Sequence, residues 1–169
     1  MQRWVDNGYL PPEIGTLSRR FVKAIAVLRG AVPPCVLAAV IRTLCNGWCT
    51  KRRFQQRAMN TCCLNRDCPG EDSIEHYCSC SMVHNFAWEK LRLRVCSRSL
   101  KHFLLLATLD KVTLVKQALL LYATYSISNQ GRNSGRSSPN TCQDSMWERV
   151  RFACMLNSEC AEVVAHIWQ

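Results

Sequence analysis

Between residues 62 and 80 the chain reads CCLNRDCPGEDSIEHYCSC, five cysteines and one histidine in nineteen residues. No other feature constrains the fold as much. So dense a set of donors is paired in disulfides, buried as small apolar groups, used in redox chemistry, or gathered on a metal ion. The chain has twelve cysteines in all, a number that suits a secreted disulfide framework. The opening MQRWVDNGYLPPE, however, has no apolar core of a secretory signal, and no run reaches the ~18 apolar residues of a membrane span. The expectation is an intracellular protein, nuclear or cytoplasmic, not secreted and with no membrane partner. There, clustered cysteines hold metal more often than they pair.

The spacing then suggests which donors converge. Asp72-Ser73-Ile74-Glu75 has the form of a capping box, with Asp72 as the cap. A helix starting there puts His76 and Cys80 at i and i+4, on one face. Upstream, Cys63 and Cys68 flank a short polar loop, and Pro69-Gly70 turns the chain back. The expected ligands of a structural Zn2+ are therefore Cys63, Cys68, His76 and Cys80. Cys62 can replace Cys63, and His84 is a second substitute. Cys78 lies about 200° around the helix from His76 at about 100° per residue, and should point elsewhere. Three thiolates and a neutral imidazole would leave the site at about −1, with Arg66 placed to offset it. Four protein ligands leave no position for water, so the site is expected to fold the chain and not to catalyse; no catalytic residue is assigned. The competing reading is free buried cysteines around a lone histidine. Cysteines 35, 45, 49, 96, 142, 154 and 160 read as small core residues.

The rest of the chain reads as mainly α, an irregular helical domain carrying a small Cys/His zinc-binding loop–helix element. Residues 1–16 look like an irregular lead-in, 17–125 like the helical domain with the zinc element at 62–84, 126–145 like a flexible linker, and 146–169 like a C-terminal helix. Phe21, Ile25 and Leu28 recur at helical spacing and Gly30 is a stop. Pro33-Pro34 opens a helix over about 35–46, followed by an Asn46-Gly47 turn. Further helices are expected over about 81–95, 99–108 and 110–127, the last capped by Asp110. Residues 119–122 are apolar on all sides, as in a central helix. No strand-like alternation persists.

The formal net charge is +10, and the cations cluster. Arg42, Lys51, Arg52, Arg53 and Arg57 precede the Cys/His string, beside Trp48 and Phe54; Lys90, Arg92 and Arg94 follow it. Cations track phosphates, and exposed aromatic rings stack on unpaired bases. These eight cations are the expected contacts to RNA or DNA. Trp48 and Phe54 read more readily as core than as stacking rings. No base-reading pattern is present.

The string from Asp72 to Tyr77, with Cys63 and Cys68 before it and Cys80 after it, resembles the zinc-binding region beyond the polymerase domain of non-LTR retrotransposon reverse transcriptases. The basic segment 46–54 and the helix ending near residue 125 fit the same resemblance. It implies a zinc-stabilised, nucleic-acid-contacting module, a detached or remnant piece that partners a reverse transcriptase polymerase domain. The polymerase chemistry itself needs neighbouring aspartates for two metal ions, and aspartates 6, 67, 72, 110 and 144 are never adjacent. The expectation is a non-catalytic nucleic-acid-binding module. A helical protein-interaction or structural domain is the alternative.

Overall fold

Residues 114–123 carry apolar side chains on nearly every side, and they are buried on every side. They lie in the middle of a long helix at the centre of the computed structural model, which describes residues 2–51, 53, 61–64, 68–94, 99–134 and 139–165. Among the described residues the chain is mainly helical, with no strand. The helices run α1 Gln2–Asp6, α2 Ile14–Ala31, α3 Pro34–Leu44, α4 Ile74–Tyr77, α5 Ser81–Leu91, α6 Leu100–Phe103, α7 Lys111–Ser134, α8 Pro139–Leu156 and α9 Ser158–Ala165. Helix α7 packs against α2, α3, α5, α8 and α9. A helix surrounded in this way needs no polar face. Its buried hydroxyls are satisfied within the helix, Thr124 Oγ1 donating to the Leu120 carbonyl (2.8 Å) and Ser128 Oγ to that of Tyr125 (3.0 Å).

Local chemistry sets the helix ends. Pro34 occupies the first turn of α3, where its fixed φ suits the helix and its missing N–H costs nothing. Asn46 takes the left-handed conformation (φ 52°) after α3, and the Gly47 N–H reaches the Arg42 carbonyl at 2.6 Å. Asp110 caps α7, its Oδ2 accepting from the Thr113 N–H at 2.8 Å. Thr113 holds the Asp110 carboxyl below the usual carboxylate range.

The observed elements differ from the sequence reading in four places. Part of the supposed lead-in 1–16 is helical and docked: Trp4 of α1 is buried. The supposed linker 126–145 continues α7 as far as Ser134 and opens α8 at Pro139. The single C-terminal helix is two, broken at Asn157. The Asn157 side chain explains the break: its Oδ1 accepts from the Cys160 N–H (2.9 Å), capping α9, while its Nδ2 donates to the Gly30 carbonyl (3.1 Å) at the end of α2. The expected helix 99–108 is also cut to one turn. Beyond Phe103 the chain turns through Leu105 at φ 61°, and Arg20 donates to the Leu106 carbonyl at 3.0 Å.

Candidate metal centre

Three short segments meet beside α7. The first is the knuckle around Cys62, closed by a 2.6 Å hydrogen bond from the Cys62 N–H to the Gly70 carbonyl. The second is Cys68–Gly70, which brings the chain back. The third is α4 with the turn into α5. Ser73 caps α4, its Oγ accepting from the His76 N–H at 3.1 Å. The cap is thus one residue later than the capping-box reading placed it. Asp72 is buried instead, accepting from the Tyr77 hydroxyl (2.6 Å) and from the Lys51 N–H (2.8 Å).

At the junction of these segments the donor atoms of Cys62, Cys68, His76 and Cys80 all lie within 4.8 Å of one another. Cys68 Sγ and His76 Nε2 are 3.2 Å apart. Thiolates on a tetrahedral ion with metal–sulfur bonds of about 2.3 Å stand about 3.8 Å apart, so the group is the right size to close on one ion. Soft sulfur and imidazole donors suit a thiophilic divalent ion and not a hard one such as magnesium or calcium. His76 and Cys80 converge, although not along one helix as the spacing suggested. Helix α4 ends at Tyr77, and Cys80 is the N-cap residue of α5. The His76 ring lies directly against Gly70: a Cβ there would run into the imidazole, which would have to shift.

Of the expected ligands, Cys68, His76 and Cys80 are in this group and Cys63 is not; Cys62 takes its place. The exchange has a physical reason. The Cys63 main chain is tied to the helical core, its N–H donating to the Tyr77 hydroxyl at 3.3 Å and its carbonyl lying against Gly131 of α7. With residue 63 held on that side, the thiol that joins the converging donors is that of Cys62. The substitute His84 is engaged elsewhere, its Nε2 donating to the Cys78 carbonyl at 2.8 Å. Cys78 is not among these donors, and burial pushes its thiol up to about 12.

The thiols feel each other. A hydrogen bond to Cys80 and burial push the Cys62 thiol up to about 12, while the same hydrogen bond holds Cys80 below the ordinary thiol value. Burial raises Cys68. Thiols this close share protons because bare thiolates would repel, and a dication reverses that balance. The surroundings are rigid: Trp48, fully buried, packs on Tyr77 (ring centroids 5.6 Å) and on Tyr125 of α7 (5.3 Å), and its Nε1 donates to Thr43 Oγ1 at 2.8 Å. Trp4 Nε1 donates to Glu75 Oε1 at 2.9 Å, joining α1 to α4.

The cations expected to touch nucleic acid divide into two groups. Arg42 and Arg53 flank the turn after α3, Arg42 donating to the Tyr125 hydroxyl (2.8 Å) and Arg53 to the Asn46 carbonyl (3.0 Å). Lys51 is half-buried, with its backbone N–H on Asp72. Lys90, Arg92 and Arg94 sit at the end of α5, Arg92 and Arg94 exposed. Arg52 and Arg57, together with Phe54 and Arg66, lie outside the described residues. Sequence reasoning passed over two features: Gly131, on which the knuckle packs and whose signal was only its place among linker-like residues, and the exposed Trp88, whose helical position opposite Val83 and Phe86 marked it as outward. No described helix is long and apolar enough to cross a membrane. No family model, curated protein or solved structure matches the chain.

Proposed function

We propose that the chain is a zinc-stabilised nucleic-acid-binding module and not an enzyme. What supports it is the convergence of Cys62, Cys68, His76 and Cys80 from three segments onto one point, in a chain of net charge +10. Zn2+ is the ion that such a three-sulfur, one-nitrogen set takes by preference, and four protein donors leave it no open coordination position. The ion's part is structural. It holds the knuckle, the return loop and the α4–α5 turn in one geometry, so that the cations before the site and those after it stand at fixed places on the fold. RNA or DNA is the partner that positive charge arranged in this way attracts. The resemblance of the Cys/His string to the region beyond a retroelement polymerase agrees with this reading, and makes a reverse transcriptase polymerase domain a second proposed partner.

The test is metal analysis joined to binding. The purified chain is expected to carry one zinc. Its affinity for RNA or DNA should fall steeply with added salt and on chelation. Failure to bind either nucleic acid at low salt overturns the proposal. A second reading, a helical protein-interaction domain, draws on Phe152, Met155 and Leu156, which lie exposed along one side of the end of α8. Stable self-association without nucleic-acid affinity supports that reading.

A further inference from the structure

We infer that Trp88, with Arg94 over its ring and Arg92 exposed on the same chain turn, is a stacking platform for unpaired bases, so that the nucleic acid this module takes is single-stranded. The inference rests on the nucleic-acid reading above and adds the strand form. Helix α5 buries Met82, Val83, Phe86, Ala87 and Leu91, and turns Trp88 outward at 49% exposure. The other indoles with a close structural role are hidden: Trp4 and Trp48 are both buried. An exposed indole on a rigid helix, two turns beyond the metal ligand Cys80, is therefore a feature of the surface and not of the core.

The chain after α5 brings a cation, Arg94, to that ring. Arg92 ends the helix in the left-handed conformation (φ 48°), and the Leu93 N–H returns to the Ala87 carbonyl at 2.9 Å. Leu93 is buried by this turn, so Arg92 and Arg94 on either side of it both face out. Arg94 then lies over the indole, its Cζ 5.5 Å from the ring centroid. An indole face beside a guanidinium offers a flat surface to a base and a fork of donors to its phosphate. Charge favours the same occupant: Glu89 is the one acidic residue between 76 and 109, among Lys90, Arg92, Arg94, Arg98 and Lys101. A duplex offers the phosphates but keeps its base faces stacked inside, so only a single strand uses the ring.

The test compares a single-stranded oligonucleotide with a hairpin duplex of the same composition, bound to the zinc-loaded full chain. Trp88→Leu is expected to weaken single-strand binding roughly tenfold to a hundredfold, the loss of one stacked base, and to leave duplex binding nearly unchanged. Trp88→Phe keeps a ring and should recover most of the affinity. Arg94→Gln should lower the salt dependence for the single strand. Zinc content serves as the folding control for each variant. Equal loss on both strand forms, or no loss on either, overturns the platform and leaves the nucleic-acid reading standing. Unchanged strand binding with lost self-association overturns it in favour of a protein contact. No binding of the unmodified chain to either form overturns both.

Discussion

Replacing Gly131 by alanine separates a packed helix from a linker by the sign of its effect. In a solvent-exposed helix, glycine to alanine stabilises by about 0.5–1 kcal/mol, because alanine restricts the unfolded chain and has the better helix propensity. Gly30 of α2 provides that case: it is exposed and a Cβ there meets nothing. At Gly131 the new Cβ would run into the carbonyl oxygen of Cys63. Relief by moving α7 is blocked by the five helices packed on it, and relief by moving the knuckle is opposed by the bonds from Cys62 to Gly70 and from Cys63 to Tyr77. Overpacking at such a contact costs about 1–3 kcal/mol, more than the propensity gain. Gly131→Ala should therefore destabilise by roughly 1–2 kcal/mol net while Gly30→Ala stabilises by about 0.5–1. Urea unfolding of both variants in the zinc-loaded state, with metal content measured in parallel, reads the difference. A Gly131→Ala stability gain equal to that of Gly30→Ala would refute the packing of α7 on the knuckle.

Four further outcomes follow from the same geometry. Cys62→Ser should lose the bound metal whereas Cys63→Ser should keep it, since only Cys62 lies among the converging donors; metal content after dialysis against a weak chelator decides between them. Stripping the metal should release the segment 62–80 and leave the core of α3, α7 and α8 folded, seen as hydrogen exchange accelerated in the first and unchanged in the second. Arg92→Gly should stabilise by about 1 kcal/mol, because glycine accepts the left-handed conformation freely, yet weaken nucleic-acid binding by removing a cation; thermal unfolding and a binding titration check the two signs. Asp110→Ala should cost about 1 kcal/mol near neutral pH by removing the α7 cap. The Asp110 carboxyl is held below its ordinary value, so this contribution is present above the unfolded carboxylate pKa and is lost as pH falls through the folded one; the difference from the unsubstituted chain should narrow on acidification.

Long-range order was legible where one physical cause dominated. The all-round apolar run 119–122 reads as a central helix because no solvent-facing side is left for it, and it is one. Proline and Asn-Gly at the ends of α3 act locally and were readable for the same reason. The errors fell where one composition serves two purposes. Glycine and serine over 126–134 suit a loose linker. They equally suit a helix that must approach another backbone at Gly131 and hide a hydroxyl at Ser128. Asp72 and Ser73 are both good caps, and the choice between them was made by Tyr77, whose hydroxyl claims the aspartate. Trp48 and Trp88 look alike as single letters. One is locked by Thr43, Tyr77 and Tyr125, the other left in solvent by helical phase alone.

The adjacent pair Cys62-Cys63 shows most clearly why the ligand set could not be completed from spacing. Of these two neighbours, one side chain joins the donors from the return loop and α4, while the main chain of the other is held against Tyr77 and Gly131. Which is which depends on where the helices stand. Here the contacts of residue 63 are with Tyr77 and Gly131, one on the metal element and one on the central helix. Tyr77 itself carries the linkage further, through Asp72 to the basic segment at Lys51 and through Trp48 to α3 and α7. The second cysteine is thus a strut between the Cys/His element and the core, and the first is the one placed among the donors that could hold an ion. A Cys/His element fastened to a helical core in part through the residue beside one of its own donors passes any change in its geometry to the segments on either side. In this chain those segments carry the cations.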